Sequence, residues 1–325
     1  MRYLSAAEVK RALPMDALVD AVAHAFVAHH HGKSSVPPRL VLRGRGGTTL
    51  VMGARVENVG LAAKVVSVFP ANAAAGRAVT NGLVVVLDPD TGIPALLCDG
   101  GSLTALRTGA ASGAASRALM VPDCSVGAVL GCGAQAATQL LAIDHVANLD
   151  TVHVYGRNPD SLEAFIERMT PQIEATLVAS RSPESAVEAA RLVCVATSSS
   201  TPVFDGSALQ PGTHVNAVGS FRLDMRELDA RTVARSRVVV DDRDAALEES
   251  GELVAAIREG HTTAASWSTL GGVLSGEHPG RDDEDAITLF KSVGLALQDV
   301  AAGALALDRA EQLQLGVILP QESAP

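Results

Sequence analysis

Basic charge is scarce in this sequence. Its 26 Lys and Arg residues are outnumbered by 36 Asp and Glu, giving a formal net charge of −10 and a pI near 5.4. That balance repels a phosphate backbone, so no nucleic-acid partner is expected. Cysteine is scarce too: Cys98, Cys124, Cys132 and Cys194 are scattered, without C-x-x-C spacing. They read as reduced thiols of a cytoplasmic protein, not as a disulfide frame or a zinc site. Long apolar runs are missing: no uncharged stretch reaches the ~18 residues needed to cross a membrane, and the N-terminus lacks a signal peptide's basic start and apolar core. Internal repeats and low-complexity tracts are absent as well. What is present is 325 residues, 47% of them hydrophobic, enough for two domains with substantial cores.

The run His29, His30 and His31 invites a metal reading. Consecutive helical residues point in different directions and cannot readily share one ion, so the run is taken as a solvated helix end and no metal is expected.

Residues 1 to about 120 mix short helical and strand-like patterns. Helices are expected near Ala6–Leu13 and Met15–His29, then strands at Leu40–Arg43, Thr48–Val56, Gly60–Phe69 and Leu83–Asp88. The turn Pro89-Asp90-Thr91-Gly92 leads into Pro94–Cys98, which predicts a hairpin. An Ala- and Gly-rich helix follows at Leu103–Met120. From 121 to 299 buried strands alternate with crossovers, the pattern of a doubly wound parallel sheet. The acids of Pro279–Asp285 predict the start of a helix running from about Ala286 to Leu307. That helix, with residues about 300–325, is expected to return to the first domain and complete it.

The most informative segment is SVGAVLGCGAQAATQLLAIDHVANLDTVHVY, from Ser125 to Tyr155: strand, glycine turn, helix, strand. In Gly131-Cys132-Gly133-Ala134-Gln135-Ala136 the first glycine permits the tight turn, the second lets backbone approach a pyrophosphate, and Ala136 allows close helix–strand packing. The helix N-terminus offers N–H groups and a positive dipole end to the phosphates. A Rossmann-type dinucleotide site follows. Where an NAD-binding unit usually ends its second strand on an acid, this chain has Arg157, 157 − 133 = 24 positions after Gly133, followed by Asn158. A guanidinium there suits a 2′-phosphate, so NADPH is expected over NADH, with a solvated loop arginine as the competing reading.

Three cations stand out among small or apolar neighbours. Strand alternation puts Lys64 on one face with Ala62, Val66 and Val68, so it must be paired or solvated there, or snorkel from an edge strand. Arg107 interrupts the Ala-rich helix, and Arg39 follows the rigid pair Pro37-Pro38. In an acidic protein with a dinucleotide fold, such a trio points to a pocket for an anionic substrate.

These segments carry a resemblance. Pro37-Pro38-Arg39, Ala63-Lys64-Val65, Leu103-Thr104-Ala105-Leu106-Arg107-Thr108, the Gly131 loop, Gly219-Ser220-Phe221-Arg222-Leu223-Asp224-Met225-Arg226-Glu227-Leu228 and Phe290-Lys291-Ser292-Val293-Gly294 occur in one order. Together the chain resembles the ornithine cyclodeaminase/mu-crystallin family over essentially its whole length. The resemblance implies a Rossmann domain plus a smaller α/β domain through which homodimers form. It implies substrate-carboxylate binding at Arg39, Lys64 and Arg107, and cofactor contacts at Thr108, Ala134, Gln135, Thr197, Ser292 and Val293. Lys64 is also the group that would polarise or protonate a reacting nitrogen.

One departure narrows the activity. Ornithine cyclodeaminases and related alanine dehydrogenases carry an aspartate two positions after the glycine matching Gly219, where it serves the substrate amine. Phe221 stands there instead, with Asp224 further on, as in mu-crystallin-like imine reductases. Phe221 suits an apolar ring, while Asp224 and Glu227 otherwise read as caps of a nearby helix. The expected function is reduction of cyclic imino acids to proline or pipecolate. Ornithine cyclodeamination with bound NAD+ and non-catalytic, NADPH-retaining ligand binding are the alternatives.

Overall fold

The computed structural model describes residues 1–320, in two compact units. One is Met1–Arg107 with the chain from Leu295 onward; the other is Thr108–Gly294. The sequence reading set the break near 120 and the return near 300. The two compact units divide between Arg107 and Thr108, inside one helix, where no loop marks a boundary. Residues 321–325, part of the expected C-terminal completion, lie outside the described residues.

In chain order the first stretch holds β1 (Arg2–Leu4), α1 (Ala6–Ala12), α2 (Met15–His30), β2 (Ser34–Ser35), β3 (Leu40–Gly44), β4 (Gly47–Val56), β5 (Gly60–Val68), β6 (Thr80–Leu87), β7 (Pro94–Asp99) and the boundary helix α3 (Gly100–Leu119). Next come β8 (Val126–Leu130), α4 (Ala134–Val146), β9 (Thr151–Tyr155), α5 (Pro159–Met169), β10 (Thr176–Ala179), α6 (Pro183–Ala189), β11 (Leu192–Val195) and β12 (His214–Ala217). They are followed by α7 (Ala230–Arg235), β13 (Ser236–Val240), α8 (Arg243–Glu249), α9 (Gly251–Arg258), β14 (Ser268–Thr269), α10 (Leu270–Leu274) and β15 (Ile287–Lys291). Finally α11 (Ala296–Gln312) and β16 (Val317–Ile318) rejoin the first unit.

The first unit is a mixed, mainly antiparallel sheet in the order β16-β1-β7-β6-β5-β4-β2, with β3 also on β4. The β6–β7 hairpin forms as expected, its turn tied by Asp88 Oδ1, which accepts the N–H of Thr91 at 2.7 Å. Helix α11 packs on β4, β5 and β6 and against α2. Alternation then decides which side chains are buried. Ala62, Lys64 and Val66 of β5 are buried, and Met52 of β4 and Val84 of β6 lie opposite Lys64. β5 is paired on both sides, so Lys64 is no edge-strand lysine snorkelling to water.

The second unit is an all-parallel sheet in the order β10-β9-β8-β11-β12-β15-β13-β14. Its central strands are buried on both faces, and neighbouring residues feed opposite cores. Ala128, Leu130, Val193 and Val195 join one hydrophobic cluster; Val129, Leu192 and Cys194 join the other. This is the doubly wound arrangement.

One expectation fails. Residues from Ala286 do not begin a helix: Ile287–Lys291 is a fully buried strand between β12 and β13, and the helix starts only at Ala296. A five-residue segment is too short for periodicity to separate strand from helix. The charged loop before it is no cap either. Arg281 ties it down, donating to the carbonyl oxygens of Leu119 (2.7 Å) and Gly212 (2.9 Å).

Candidate active site

In the first unit Lys64 and Arg107 meet on one carboxylate. Lys64 Nζ lies 2.7 Å from Asp299 Oδ2, and Arg107 Nε donates to Asp299 Oδ1 at 3.1 Å. Arg107 Nη1 donates in addition to Gln298 Oε1. The Lys64 side chain is 1% exposed and that of Asp299 2%. Asp299 stands in the first turn of α11, where a carboxylate also meets the positive end of the helix dipole. Sequence reasoning missed it, because the misplaced helix start put Asp299 mid-helix, and because it lies 299 − 64 = 235 positions from its partner.

Burial pulls the Lys64 ammonium down from its ordinary value to about 8; Asp299 opposes this, while the charges of Arg107 and Arg39 add to it. Half-buried Arg39 therefore belongs to the same electrostatic neighbourhood. Two buried cations, Lys64 and Arg107, thus meet one carboxylate. Buried charge is stable only when paired, so the surplus positive charge suits a further anion.

In the second unit the glycine turn has the geometry its sequence requires. Gly131 has φ +121°, and a Cβ there would lie 2.4 Å from the Ala196 carbonyl oxygen. Gly133 is the N-cap of α4, with no side chain to cap the first-turn amides, and a Cβ on it would meet nothing within 4 Å. Ala134 is exposed and Gln135 half-buried in that first turn. Uncapped amides under open space fit an approaching pyrophosphate. Arg157 follows β9 as an exposed side chain, while Asn158 Oδ1 accepts the Ser161 N–H at 2.9 Å and caps α5. Cys132 is half-buried, and burial pushes its thiol up.

Of the remaining expected contacts, Thr108 lies within α3 and the others lie after the ends of strands. Thr108 is buried, and its carbonyl accepts from Gln139 Nε2 at 3.2 Å. Thr197 follows β11 and Ser292 follows β15. Ser292 Oγ donates to Asp241 Oδ2 at 2.8 Å, and the same oxygen accepts the N–H groups of Val293 (2.9 Å) and Gly294 (2.7 Å). Phe221 is half-buried. Asp224 is not part of a buried pocket: its side chain is 72% exposed and pairs with Arg222 at 2.9 Å. Neither Asp224 nor Glu227 caps a helix, for α7 is capped by Asp229, which accepts the Thr232 N–H at 2.7 Å. Glu227, read from the sequence as a cap, is instead a buried carboxylate, and so are Asp241 and Glu252, to which the sequence reading assigned no role.

Among the described residues there is no group of three or more His, Cys, Asp or Glu able to hold a metal, and no helix is long and apolar enough to cross a membrane.

A mixed sheet carrying a buried cationic cluster, joined in one chain to a doubly wound sheet with an open glycine cradle, defines a class: NAD(P)-dependent oxidoreductases of small acids. The chain belongs to the ornithine cyclodeaminase/mu-crystallin family, whose model matches residues 2–314. It is 34% identical over 321 residues to a Delta(1)-pyrroline-2-carboxylate reductase of Bacillus cereus, covering 97% of this chain and 98% of that protein. Among solved structures it resembles Thermococcus litoralis Delta(1)-pyrroline-2-carboxylate reductase in complex with NADH and L-proline, at 35% identity and a TM-score of 0.95, covering 98% of this chain and 100% of the other. An archaeal alanine dehydrogenase dimer with bound NAD matches at 30% identity and a TM-score of 0.91, covering 98% of each chain.

Proposed function

We propose that this chain reduces cyclic imino acids with NAD(P)H, converting Δ1-pyrroline-2-carboxylate or Δ1-piperideine-2-carboxylate to L-proline or L-pipecolate. The carrying observation is the buried pair of Lys64 and Arg107, two cations on the single carboxylate of Asp299, with the charge of Arg39 felt at Lys64. Its surplus charge matches a substrate carboxylate, and the names of the Bacillus and Thermococcus relatives supply the substrate class.

The residues divide the work. Lys64 and Arg107, held side by side by Asp299, bind the carboxylate, with Arg39 adding charge, so the ring is oriented before reaction. The Gly131–Gln135 turn, Arg157, Thr197, Ser292 and Val293 hold the dinucleotide, which when bound supplies a hydride to the C=N carbon. The imine nitrogen takes one proton; an iminium arriving already protonated brings its own, and otherwise Lys64 is the acid this reading assigns. Phe221 offers a ring an apolar surface and no carboxylate to an ammonium, which favours imine reduction over ammonia elimination. Arg157 favours NADPH over NADH through the 2′-phosphate.

The partner is a second copy of the chain. The sheet face of the first unit opposite α11 is apolar and uncovered, with Val65 and Leu83 each 48% exposed and facing each other across β5 and β6. The dimer seen for the archaeal alanine dehydrogenase supports the same reading. Four free thiols, three of them buried, suit a reducing cytoplasm.

The test is loss of reduced-nicotinamide absorbance with NADPH and with NADH on each imino acid, with the product identified. Oxidation yielding L-proline or L-pipecolate is expected. No turnover with either coenzyme, alongside ammonia release from L-ornithine, would replace this reading by cyclodeamination.

A further inference from the structure

Three charged side chains with no exposed surface lie at the C-terminal ends of the central strands of the second unit. Glu227 Oε1 accepts the N–H (2.6 Å) and the hydroxyl (2.8 Å) of Thr197, which follows β11. Its Oε2 accepts the N–H groups of Gly219 (2.7 Å) and Ser220 (3.0 Å), which follow β12. Lys291, the last residue of β15, donates to the carbonyl oxygen (2.7 Å) and the hydroxyl oxygen (2.6 Å) of Ser220. Its ammonium stands 2.9 Å from Glu252 Oε1, and Glu252 accepts the Ser220 hydroxyl proton at 2.7 Å. Strands β11, β12 and β15 are neighbours and parallel, so one chain of buried ionic hydrogen bonds crosses three adjacent strand ends.

Such a cluster is expensive for the fold. Desolvating a carboxylate costs several kcal/mol, and well-packed apolar residues often stabilise as well or better. What an apolar side chain cannot do is gather four donors from two separate turns onto one group. Close packing adds to the constraint: a Cβ on Gly219 would lie 2.1 Å from the Thr197 carbonyl oxygen and 2.4 Å from Glu227 Oε1. These turns sit where open parallel sheets receive ligands, beyond the carboxyl ends of the strands. The Thr197 hydroxyl gives its proton to Glu227 and accepts from the Ser199 N–H at 3.2 Å, so a ligand meets a lone pair there and never a donor. The carboxamide N–H₂ of a nicotinamide is the complementary group.

We propose that Glu227 is the positioning residue for the nicotinamide end of the dinucleotide, holding the Thr197 and Gly219–Ser220 turns in the arrangement that receives it. The proposal rests on reading the second unit as a dinucleotide site. Glu227→Gln leaves one oxygen to serve two turns and sets an N–H₂ against N–H donors, so one turn is released.

The test uses the full chain and calorimetric titration with NADH against ADP-ribose, and with NADPH against 2′-phospho-ADP-ribose. Each pair differs in the nicotinamide alone. E227Q is expected to weaken the whole dinucleotides by about tenfold, the effect of orphaning one buried donor, while both truncated ligands bind as to the wild type. Equal weakening of whole and truncated ligands marks a merely structural role and overturns the proposal, as does no change in either. Should E227Q fail to fold, Glu227→Asp keeps the charge on a shorter arm and is expected to show the same selective loss, smaller in size; its absence overturns the proposal equally. A wild-type chain that binds none of the four ligands removes the dinucleotide reading itself, an outcome seen before any variant is made.

Discussion

The two units solve the problem of buried charge in opposite ways. In the first, Lys64 and Arg107 share Asp299, and positive charge is left over. In the second, Glu227 and Asp241 collect backbone amides and hydroxyls from their own unit, and Lys291 is matched by Glu252 and Ser220. The lesson is a distinction between sites and scaffolds. A buried cluster that completes its own hydrogen bonds holds loops in place, whereas one with a charge surplus is prepared for a ligand that brings the missing charge.

Removing Asp299 breaks this contrast most severely. Asp299→Ala leaves two buried cations without their carboxylate, and a loss of about 3–5 kcal/mol in unfolding free energy is expected from urea denaturation. The double variant Asp299→Ala/Lys64→Met should recover part of it, because one orphaned charge goes with its partner. Full stability in D299A alone would mean that the cluster needs no counter-charge.

Lys64→Met comes next and sharpens the division of labour. Loss of a charged hydrogen bond to the carboxylate is expected to lower kcat/KM for the imino acid by about 10²-fold, with NADPH affinity unchanged. A matching loss of NADPH affinity would erase the functional distinction between the units.

The pH profile follows from the same lysine. Its value is about 8, so Lys64 is a cation below that pH and neutral above it. Carboxylate binding, and with it kcat/KM, is therefore expected to be full on the acid side and to fall as pH rises past about 8, by up to tenfold per pH unit. K64M should lack that break. A profile that rises through pH 8 would reverse the assigned role, making neutral Lys64 the working form.

The smallest effect concerns coenzyme choice. Arg157→Ala is expected to raise the KM for NADPH up to about tenfold and leave that for NADH alone, since an exposed guanidinium–phosphate contact is partly screened. Equal effects on the two coenzymes would remove Arg157 from the 2′-phosphate.

What could be read from the sequence was what is local. The strand–turn–helix around Gly131 shows in the glycines and in the apolar run before them, and the alternation of Gly60–Phe69 already grouped Lys64 with Ala62 and Val66, though not whether that face is buried. Ile287–Lys291 was misread because its five buried residues follow a stretch of acids that mimics a helix start. That error hid Asp299, whose importance lies in a partner on another strand and in no motif of its own. Glu227 looked like a capping residue, since acceptor side chains near a helix start usually are. Its actual donors come from turns after β11 and β12, brought together only by the parallel sheet.

The return of α11 to the first unit has a consequence for how the protein is made. Residues 1–107 emerge from the ribosome carrying Lys64 and Arg107, while the helix that brings Asp299 is synthesised after the whole second unit. The second unit is one unbroken stretch and can condense as soon as it is complete, as domains generally do during synthesis. The first has strands waiting for their covering helix, and its cationic centre is the last place in the molecule to gain a counter-charge. Nascent chains halted before α11 would therefore present the uncovered face of the first sheet, exposed apolar surface of the kind chaperones exist to shield.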